Sequence, residues 1–177
     1  MMNSAVKSTL VSTVVLSLLL GSVGLSAGPK GPNLVEVAVA TNSEGPFAGQ
    51  FDTLITAVLA ADPAVLETLS GNGQHTVFAP TDDAFAALGL DETNVATALS
   101  QEDLTQILLY HVAHGRRDAA DILDSKRIRT LQRGFLGQDG GVLTDNLGRE
   151  ATIIVKDVKA ANGIIHAIDA VVLPFAP

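Results

Sequence analysis

Residues 76–85 read TVFAPTDDAF, a strand signal followed without a gap by a helix signal. The first four residues are β-branched or apolar and predict a short strand in which Phe78 is buried. Pro80 ends that strand, because proline has no N–H to donate to a further rung of the sheet. Thr81 is then expected to act as the N-cap of a helix and to satisfy free amides of its first turn. The stretch therefore predicts a buried strand that leads directly into a helix.

A second stretch, residues 162–174, reads NGIIHAIDAVVLP and predicts a hairpin. Its opening Asn-Gly pair is a strong turn signal, and residues 164–173 are expected to form the strand that follows. Alternation along this strand places His166 on one face and Asp169 on the other, with apolar residues around both. We therefore expect a strand that is buried on both faces, in which His166 and Asp169 need polar partners.

Outside these stretches the sequence changes from helical to strand-like patterns. Apolar residues at helical spacing within 51–59 predict an amphipathic helix, and residues 100–103 predict the capped start of another. The second helix carries an apolar stripe that ends at His111, and we expect the helix to stop at Gly115. From residue 127 onward, β-branched residues and turns dominate. Helices followed by strands indicate an α+β fold rather than a doubly wound sheet.

The two stretches, together with a Leu-Tyr-His segment at 109–111, resemble the signature segments of the fasciclin (FAS1) domain. They occur in that family's order and spacing, and the resemblance covers about residues 33–174. It implies a fasciclin-like wedge of short β-sheets flanked by several helices, as in the secreted, single-domain bacterial members. The motif residues that carry the resemblance are Thr76, Phe78, Pro80, Thr81, Phe85, Tyr110, His111, Asn162, Gly163, His166 and Asp169.

The resemblance implies a function in extracellular interaction or cell adhesion. Fasciclin-like domains serve mostly as adhesion and matrix modules, so the expected partner is a protein or polysaccharide at the cell surface or in the matrix, or a second copy of the chain. A few members bind apolar ligands. A carrier of an apolar, carotenoid- or lipid-like molecule is therefore the alternative, and a large internal void or a co-purifying pigment would distinguish it.

Tyr110 and His111 are interpreted as chiefly structural, because they lie at the end of a helix whose apolar stripe faces a core. His111 is expected to be at least half buried and to need a hydrogen-bond partner for each ring nitrogen. Replacement of His111 by alanine is expected to cost about 1–3 kcal/mol of stability. The resemblance also links this Tyr-His segment to adhesion, so a second role stays open.

The composition excludes several classes of function. The chain of 177 residues is 47% hydrophobic and 17% charged, with 11 Lys and Arg against 19 Asp and Glu. The resulting net charge of −8 repels phosphates and argues against nucleic-acid binding. The sequence has no cysteine, which excludes disulfide scaffolds, thiolate metal sites and cysteine nucleophiles.

The sequence also lacks the common catalytic and cofactor-binding patterns. It has no G-x-S-x-G elbow, no P-loop and no strand-linked dinucleotide-binding glycine motif, so neither enzyme activity nor a cofactor is predicted. His111 and His114 are three residues apart and would share a helical face, which is the placement that two metal ligands require. No H-E-x-x-H pattern accompanies them, so we interpret them as structural or solvent-exposed and predict no metal site.

Residues 1–27 have the pattern of a secretory signal peptide. Lys7 supplies a positive charge ahead of an apolar run at 10–20, and small residues lead up to Ala27. An uncleaved membrane anchor is the alternative, because residues 8–27 carry no charge. The protein is expected to be secreted, in the periplasm or outside the cell. The expected organisation is a signal peptide at 1–27, a short linker at 28–32, the fasciclin-like domain at 33–174 and a C-terminal tail at 175–177.

Charge is distributed unevenly along the chain. Between Gly31 and Gly115 there are eleven Asp and Glu and no Lys or Arg, whereas residues 116–133 hold six basic residues and three Asp. We call residues 116–133 the basic segment. It is interpreted either as ordinary solvated surface or as a docking surface for an acidic partner or polysaccharide. Its basic residues are Arg116, Arg117, Lys126, Arg127, Arg129 and Arg133.

Overall fold

The computed structural model describes residues 31–175. The predicted signal peptide, the first three residues of the predicted linker and the last two residues of the predicted tail lie outside this range. The helices of the described range are α1 (Leu34–Ser43), α2 (Asp52–Ala60), α3 (Pro63–Ser70), α4 (Asp82–Ala86), α5 (Val95–Ala98), α6 (Gln101–Tyr110) and α7 (Ala119–Leu123). Its strands are β1 (His75–Pro80), β2 (Val112–His114), β3 (Arg127–Arg129), β4 (Phe135–Asp139), β5 (Val142–Thr144), β6 (Glu150–Ala160) and β7 (Gly163–Ile168).

The strands form one sheet in the order β2-β1-β7-β6-β5-β4-β3. The central strands β1 and β7 are parallel, and every other neighbouring pair is antiparallel. The two outer strands approach each other through a bridge between Ala113 and Thr130, and the Leu131 N–H donates to the Val112 carbonyl at 2.7 Å. The sheet therefore curls until its edges meet. Helices combined with this mixed sheet confirm the predicted α+β fold.

The sheet separates two hydrophobic clusters. Because successive strand residues point to opposite faces, Ala79 and Ile165 join the cluster that the helices cover. Phe78 and Ile168 join the second cluster, on the other face. All six residues of β7 are buried, which confirms that this strand is covered on both sides.

Local sequence signals account for the starts of two helices. The Asp62 side chain accepts from the Ala64 N–H at 2.8 Å at the start of α3, and Ser100 accepts from the Asp103 N–H at 3.1 Å at the start of α6. Within residues 31–175 no single helix is long and apolar enough to cross a membrane. The pair α2 and α3 reaches that length only jointly, across a bend of 117°.

Two expectations about the strands were wrong in their limits. The predicted strand at 164–173 ends at Ile168. Asp169 still donates its N–H to the Thr152 carbonyl of β6, but Val172 and Leu173 donate theirs to the His111 and Asp145 side chains. The predicted Asn-Gly turn is displaced by one residue. β6 ends at Ala160 and β7 begins at Gly163, so Ala161 and Asn162 form the connection.

Two helix-end expectations were also wrong. Thr81 lies at the N-cap of α4, but its side chain makes no capping hydrogen bond. The neighbouring Asp82 carboxylate instead accepts from the Asp52 and Thr53 N–H groups at 3.2 and 2.9 Å, and so ties α4 to α2. The helix expected to stop at Gly115 ends at Tyr110, because the chain there enters strand β2.

Candidate functional site

Tyr110 lies fully buried at the end of α6, inside the second hydrophobic cluster. Its hydroxyl donates to the Phe135 carbonyl at 2.7 Å, which joins α6 to strand β4. Burial raises the pKa of this phenol above its usual value. The turn before β4 reaches the ring because residue 134 is glycine, since a Cβ there would lie 2.7 Å from the Tyr110 ring. This contact places Tyr110 in the architecture of the domain.

His111 is 2% exposed, which confirms its predicted burial. Its Nε2 accepts from the Val172 N–H at 3.2 Å, and Nδ1 lies 2.8 Å from the Ile107 carbonyl. A main-chain N–H can only donate, so the proton of the neutral ring is on Nδ1 and points at Ile107. Burial lowers the pKa of His111 to about 4. The ring is therefore a neutral link between α6 and the C-terminal segment.

Asp145 is a buried carboxylate that sequence reasoning did not single out. It accepts from the main-chain N–H groups of Leu147 and Arg149 at 2.8 and 3.0 Å and from Leu173 at 3.1 Å. The Arg149 guanidinium lies 2.8 Å away as an ion pair. Burial alone would raise the pKa of Asp145, but these hydrogen bonds outweigh burial and hold it below its usual value. The signal in the sequence is an Asp that opens a Gly-containing turn with an Arg four residues later.

Asn162 and Gly163 join three parts of the fold. The Asn162 side chain accepts from the Leu34 N–H at 2.8 Å and donates to the Leu69 and Gly71 carbonyls, both at 2.8 Å. It thereby satisfies the start of α1 and the end of α3. Gly163 packs so closely on β1 that a Cβ would overlap the His75 carbonyl oxygen. Asn162 therefore contributes hydrogen bonds, and Gly163 allows β7 to pack closely on β1. Neither residue takes a left-handed φ.

His166 is fully buried on β7 and stacks on the Phe78 ring at 6.0 Å between centroids. Its Nδ1 accepts from the Asp157 N–H at 3.3 Å, and Nε2 lies 3.0 Å from the Arg117 carbonyl. Burial lowers the pKa of His166. The Asp157 carboxylate accepts from the Ala119 N–H at 2.8 Å. His166 and Asp157 thus anchor the beginning of the basic segment to the sheet.

The remaining motif residues are also buried or satisfied locally. Thr76 donates to the Gly115 carbonyl at 2.7 Å and accepts from the Arg117 N–H at 2.8 Å. Asp169 lies exposed after the end of β7, so its expected place in a strand buried on both faces was wrong; its carboxylate accepts from the Thr152 N–H at 2.6 Å. The side chains of Phe78, Pro80, Thr81 and Phe85 lie in the interior. The motif residues therefore build the wedge around its central strands.

The basic segment runs from the end of β2 to the turn after β3. Arg116 donates to the Ala160 and Ala161 carbonyls at 3.0 and 3.2 Å, whereas the Arg117 guanidinium donates to the Ser125 hydroxyl at 3.3 Å. These two arginines therefore point to different elements. Each of them holds a hydrogen bond to the fold, although Arg116 remains exposed to solvent.

The other four basic residues lie on or beside β3, and all four are exposed. Arg127 stacks over the Phe135 ring at 4.2 Å. Within residues 31–175 the ion pair joins Arg149 to Asp145, so the charges of Lys126, Arg129 and Arg133 are not neutralised by a direct contact in this range. This part of the basic segment therefore exposes three positive charges on and beside β3.

Two apolar cavities lie between the helices and the sheet. The larger, of about 180 Å³, is lined by α1, α2, α3 and β1, and the second, of about 150 Å³, lies between α2, α4 and α6. Leu54, Leu108 and His111 line both of them. Each is smaller than the roughly 300–1,000 Å³ of common ligand pockets. They accommodate a ring or a short acyl segment, but neither alone encloses a carotenoid.

The two histidines that the sequence grouped are separated by the structure. His111 caps α6 inside the core, while His114 lies exposed on β2. The prediction that His111 and His114 share a helical face is therefore wrong, because the helix ends at Tyr110. Among residues 31–175 no three His, Asp or Glu side chains converge on a common point where a metal ion could be held.

Comparison with known proteins gives one consistent family. The Fasciclin domain model matches residues 49–174; α1 precedes that match. Protein sll1483 of Synechocystis sp. is 41% identical over 145 residues, which are 80% of this chain and 73% of that protein. Immunogenic protein MPB70 of Mycobacterium bovis is 32% identical over 158 residues, covering 84% of this chain and 77% of that protein.

Similarity also extends to animal proteins with longer chains. Transforming growth factor-beta-induced protein ig-h3 of Sus scrofa is 34% identical over 127 residues, which cover 71% of this chain but 18% of that protein. Among solved structures, a FAS1 domain pair from the insect cell adhesion molecule Fasciclin I superimposes with a TM-score of 0.52 at 26% identity. The match covers 66% of this chain and 42% of that one.

Proposed function

Because this chain belongs to the fasciclin domain family, we propose that it is a secreted interaction module that docks an anionic partner through its basic segment. Fasciclin domain proteins are generally non-enzymatic, adhesion-type modules, and most are extracellular or secreted. The partner that the charge pattern favours is an acidic polysaccharide at the cell surface, with the acidic half of a second copy as the competing outcome.

One observation carries this proposal. Lys126, Arg129 and Arg133 are exposed on and beside one edge strand, while the chain between Gly31 and Gly115 holds eleven acidic residues and no basic one. A molecule with this asymmetry attracts anions to one place through its long-range field. Such a field changes the rate of association more than the strength of the final contacts.

Association should therefore be slowed by salt and by charge reversal on β3. We expect the rate at which the protein associates with an immobilised polyuronate to fall as the ionic strength rises, because the Debye length is about 8 Å at 0.15 M. The double variant Lys126→Glu, Arg129→Glu should associate at least about tenfold more slowly at low salt. Surface plasmon resonance measures both effects.

The matched control reverses two lysines on β6, Lys156→Glu and Lys159→Glu. It makes the same change in net charge on a different strand. If both double variants associate at the same reduced rate, net charge alone controls binding and the docking surface is refuted. Association of the protein with itself, measured by sedimentation and abolished by the β3 variant, would instead identify a second copy as the partner.

Export is part of the proposal. We propose that residues 1–27 are removed as a signal peptide, leaving an N-terminus at Gly28, a linker to residue 32, the domain at 33–174 and a short tail. Mass spectrometry of the protein recovered outside the cytoplasm should give the mass of a chain that begins at Gly28. A full-length chain retained in the membrane would support the anchor alternative.

The larger cavity favours a second candidate function, a carrier of a small apolar molecule. Its lining is almost wholly apolar, and the exposed side chains of Leu59 and Val39 lie at its margin. Burial of a short acyl chain there would contribute about 0.8 kcal/mol for each methylene removed from water. The volume limits the ligand to a short acyl chain or a single ring.

Filling the cavity should block such a ligand. Ala38 lines the larger cavity, whereas Ala40 lies exposed on the same helix. We expect Ala38→Phe to abolish binding of decanoate, while Ala40→Phe binds it as wild type does. Isothermal titration calorimetry gives the affinities. Failure of the wild-type protein to bind decanoate, or equal binding by both variants, would remove the carrier function from consideration.

A further inference from the structure

His75 and His114 face each other across the antiparallel pair β1–β2. Their Cα atoms are register partners. The next two opposed residues, Gln74 and Gly115, form a hydrogen-bonded pair, since the Gly115 N–H donates to the Gln74 carbonyl at 2.9 Å. Hydrogen-bonded and non-hydrogen-bonded pairs alternate along an antiparallel ladder, so the two histidines form a non-hydrogen-bonded pair, in which side chains approach most closely. Their ring centroids are 6.0 Å apart.

The His75 ring is held in place but not satisfied. The residue is 7% exposed, and its Nδ1 is buried without a hydrogen-bond partner among the described residues. The loop before β1 lies against the other side of the ring, because a Cβ on Gly73 would be 2.5 Å from Nε2. A buried polar atom without a partner is costly, so this ring lacks an interaction that an additional ligand could supply.

His114 makes the pair accessible from solvent. It is exposed at the end of β2, an outer strand of the sheet. Neutral imidazole is a good ligand for zinc and copper. A zinc ion about 2.1 Å from one nitrogen of each ring, at a tetrahedral angle, places the ring centroids about 5.3 Å apart. The 6.0 Å spacing in this structure is about 0.7 Å longer, a difference that a small rotation of the exposed His114 side chain closes.

We propose that His75 and His114 bind one divalent transition-metal ion of the zinc or copper class. The two imidazoles supply two ligands, and water completes the tetrahedral shell. The sequence did not indicate this pair, because the two histidines are 39 positions apart and the register of β1 on β2 is what brings them together. The ion would join the end of the outer strand β2 to the start of β1.

The test uses Zn²⁺ alone as the probe and the whole protein. Calorimetry should show one equivalent of Zn²⁺ bound by the wild type. His114→Ala should weaken this binding at least about tenfold, since loss of even an outer-shell partner costs about 10- to 100-fold in metal affinity. Because His114 is exposed, this variant should keep the circular dichroism spectrum and the Tm of the wild type.

The other two histidines of the chain are internal controls. In the nitrogen NMR spectrum of the imidazoles, Zn²⁺ should shift the signals of His75 and His114 together. The signals of His111 and His166 should stay in place, because both ring nitrogens of each are already engaged. A shift of His114 without His75, or unchanged affinity in His114→Ala, would overturn the proposal, even where His75 variants fail to fold.

Discussion

Replacing Gly163 by alanine should strongly destabilise the protein, because the added methyl group has no room between the two central strands. The new Cβ would overlap the His75 carbonyl oxygen and lie 2.9 Å from the Leu34 side chain. A backbone carbonyl in the parallel pair β1–β7 cannot rotate away, so the two strands must separate. We expect a loss of about 3 kcal/mol or more, which lowers the Tm by roughly 10 °C for a domain of this size.

Gly137→Ala is the matched control for this experiment. Gly137 also lies in a strand, but a Cβ there would meet Thr144 at an ordinary 3.5 Å. Urea unfolding of the two variants should therefore separate a loss of several kcal/mol at 163 from a change near zero at 137. Equal losses of stability at both positions would show that a strand glycine is needed for its backbone conformation, and that the close contact of Gly163 with β1 is unimportant.

Acidification from pH 7 to pH 4 should remove about 3 kcal/mol of stability through His111 alone. The unfolded chain takes up a proton on this residue near pH 6.5, whereas burial lowers the pKa in the folded protein to about 4. Between these values the unfolded state binds more protons, so stability is fully present above pH 6.5 and is lost as the pH falls to 4. The size follows from about 1.4 kcal/mol for each pH unit between the two pKa values.

Protonation on acidification should also destabilise the folded protein at two further histidines. Burial also lowers the pKa of His75 and of His166 in the folded protein, so both oppose protonation of the native state. The nearby Asp145 carboxylate favours protonation of His111 and partly offsets the effect of burial. Urea unfolding at a series of pH values measures the combined slope.

Comparing the pH dependence of stability in the wild type and in His111→Ala shows how much of it is due to His111. At pH 7 the variant should be about 1–3 kcal/mol less stable than the wild type, because the Val172 N–H loses its buried acceptor. At pH 4 the difference should almost vanish, since the wild type has by then lost the stability that the neutral ring provides. A difference that stays constant from pH 7 to pH 4 would show that His111 is not the group that titrates.

Much of the fold could be predicted from the sequence, because its determinants lie within a few residues of one another. The strand that leads into a helix at 75–86, the capped start of α6 and the hairpin between β6 and β7 depend on turn residues, caps and periodicity. The motif order indicated the family before any contact was known. The limits of these elements were less accurate where side chains from distant segments bind the main chain.

The candidate site was predicted less well, because its contacts also join segments that are distant in the sequence. The basic segment was visible as a run of charge, but the structure shows Arg116 bound to the end of β6 and leaves Lys126, Arg129 and Arg133 exposed. Asp145 drew no attention, because a lone Asp in a turn is common in sequences. Its partner Leu173 becomes relevant only when the C-terminal segment packs beside it.

The sequence by itself therefore determined the α+β class, the family, the buried central strands and the uneven charge, all of which are local or compositional properties. The tertiary structure decided which distant groups meet: Asn162 with Leu34 across 128 residues, His111 with Val172 across 61, and His75 with His114 across a strand pair. The physical reason is that a buried polar group must find a partner wherever packing places it. Which group comes close enough to serve depends on how the helices and the curled sheet pack together, and that packing is a property of the whole chain.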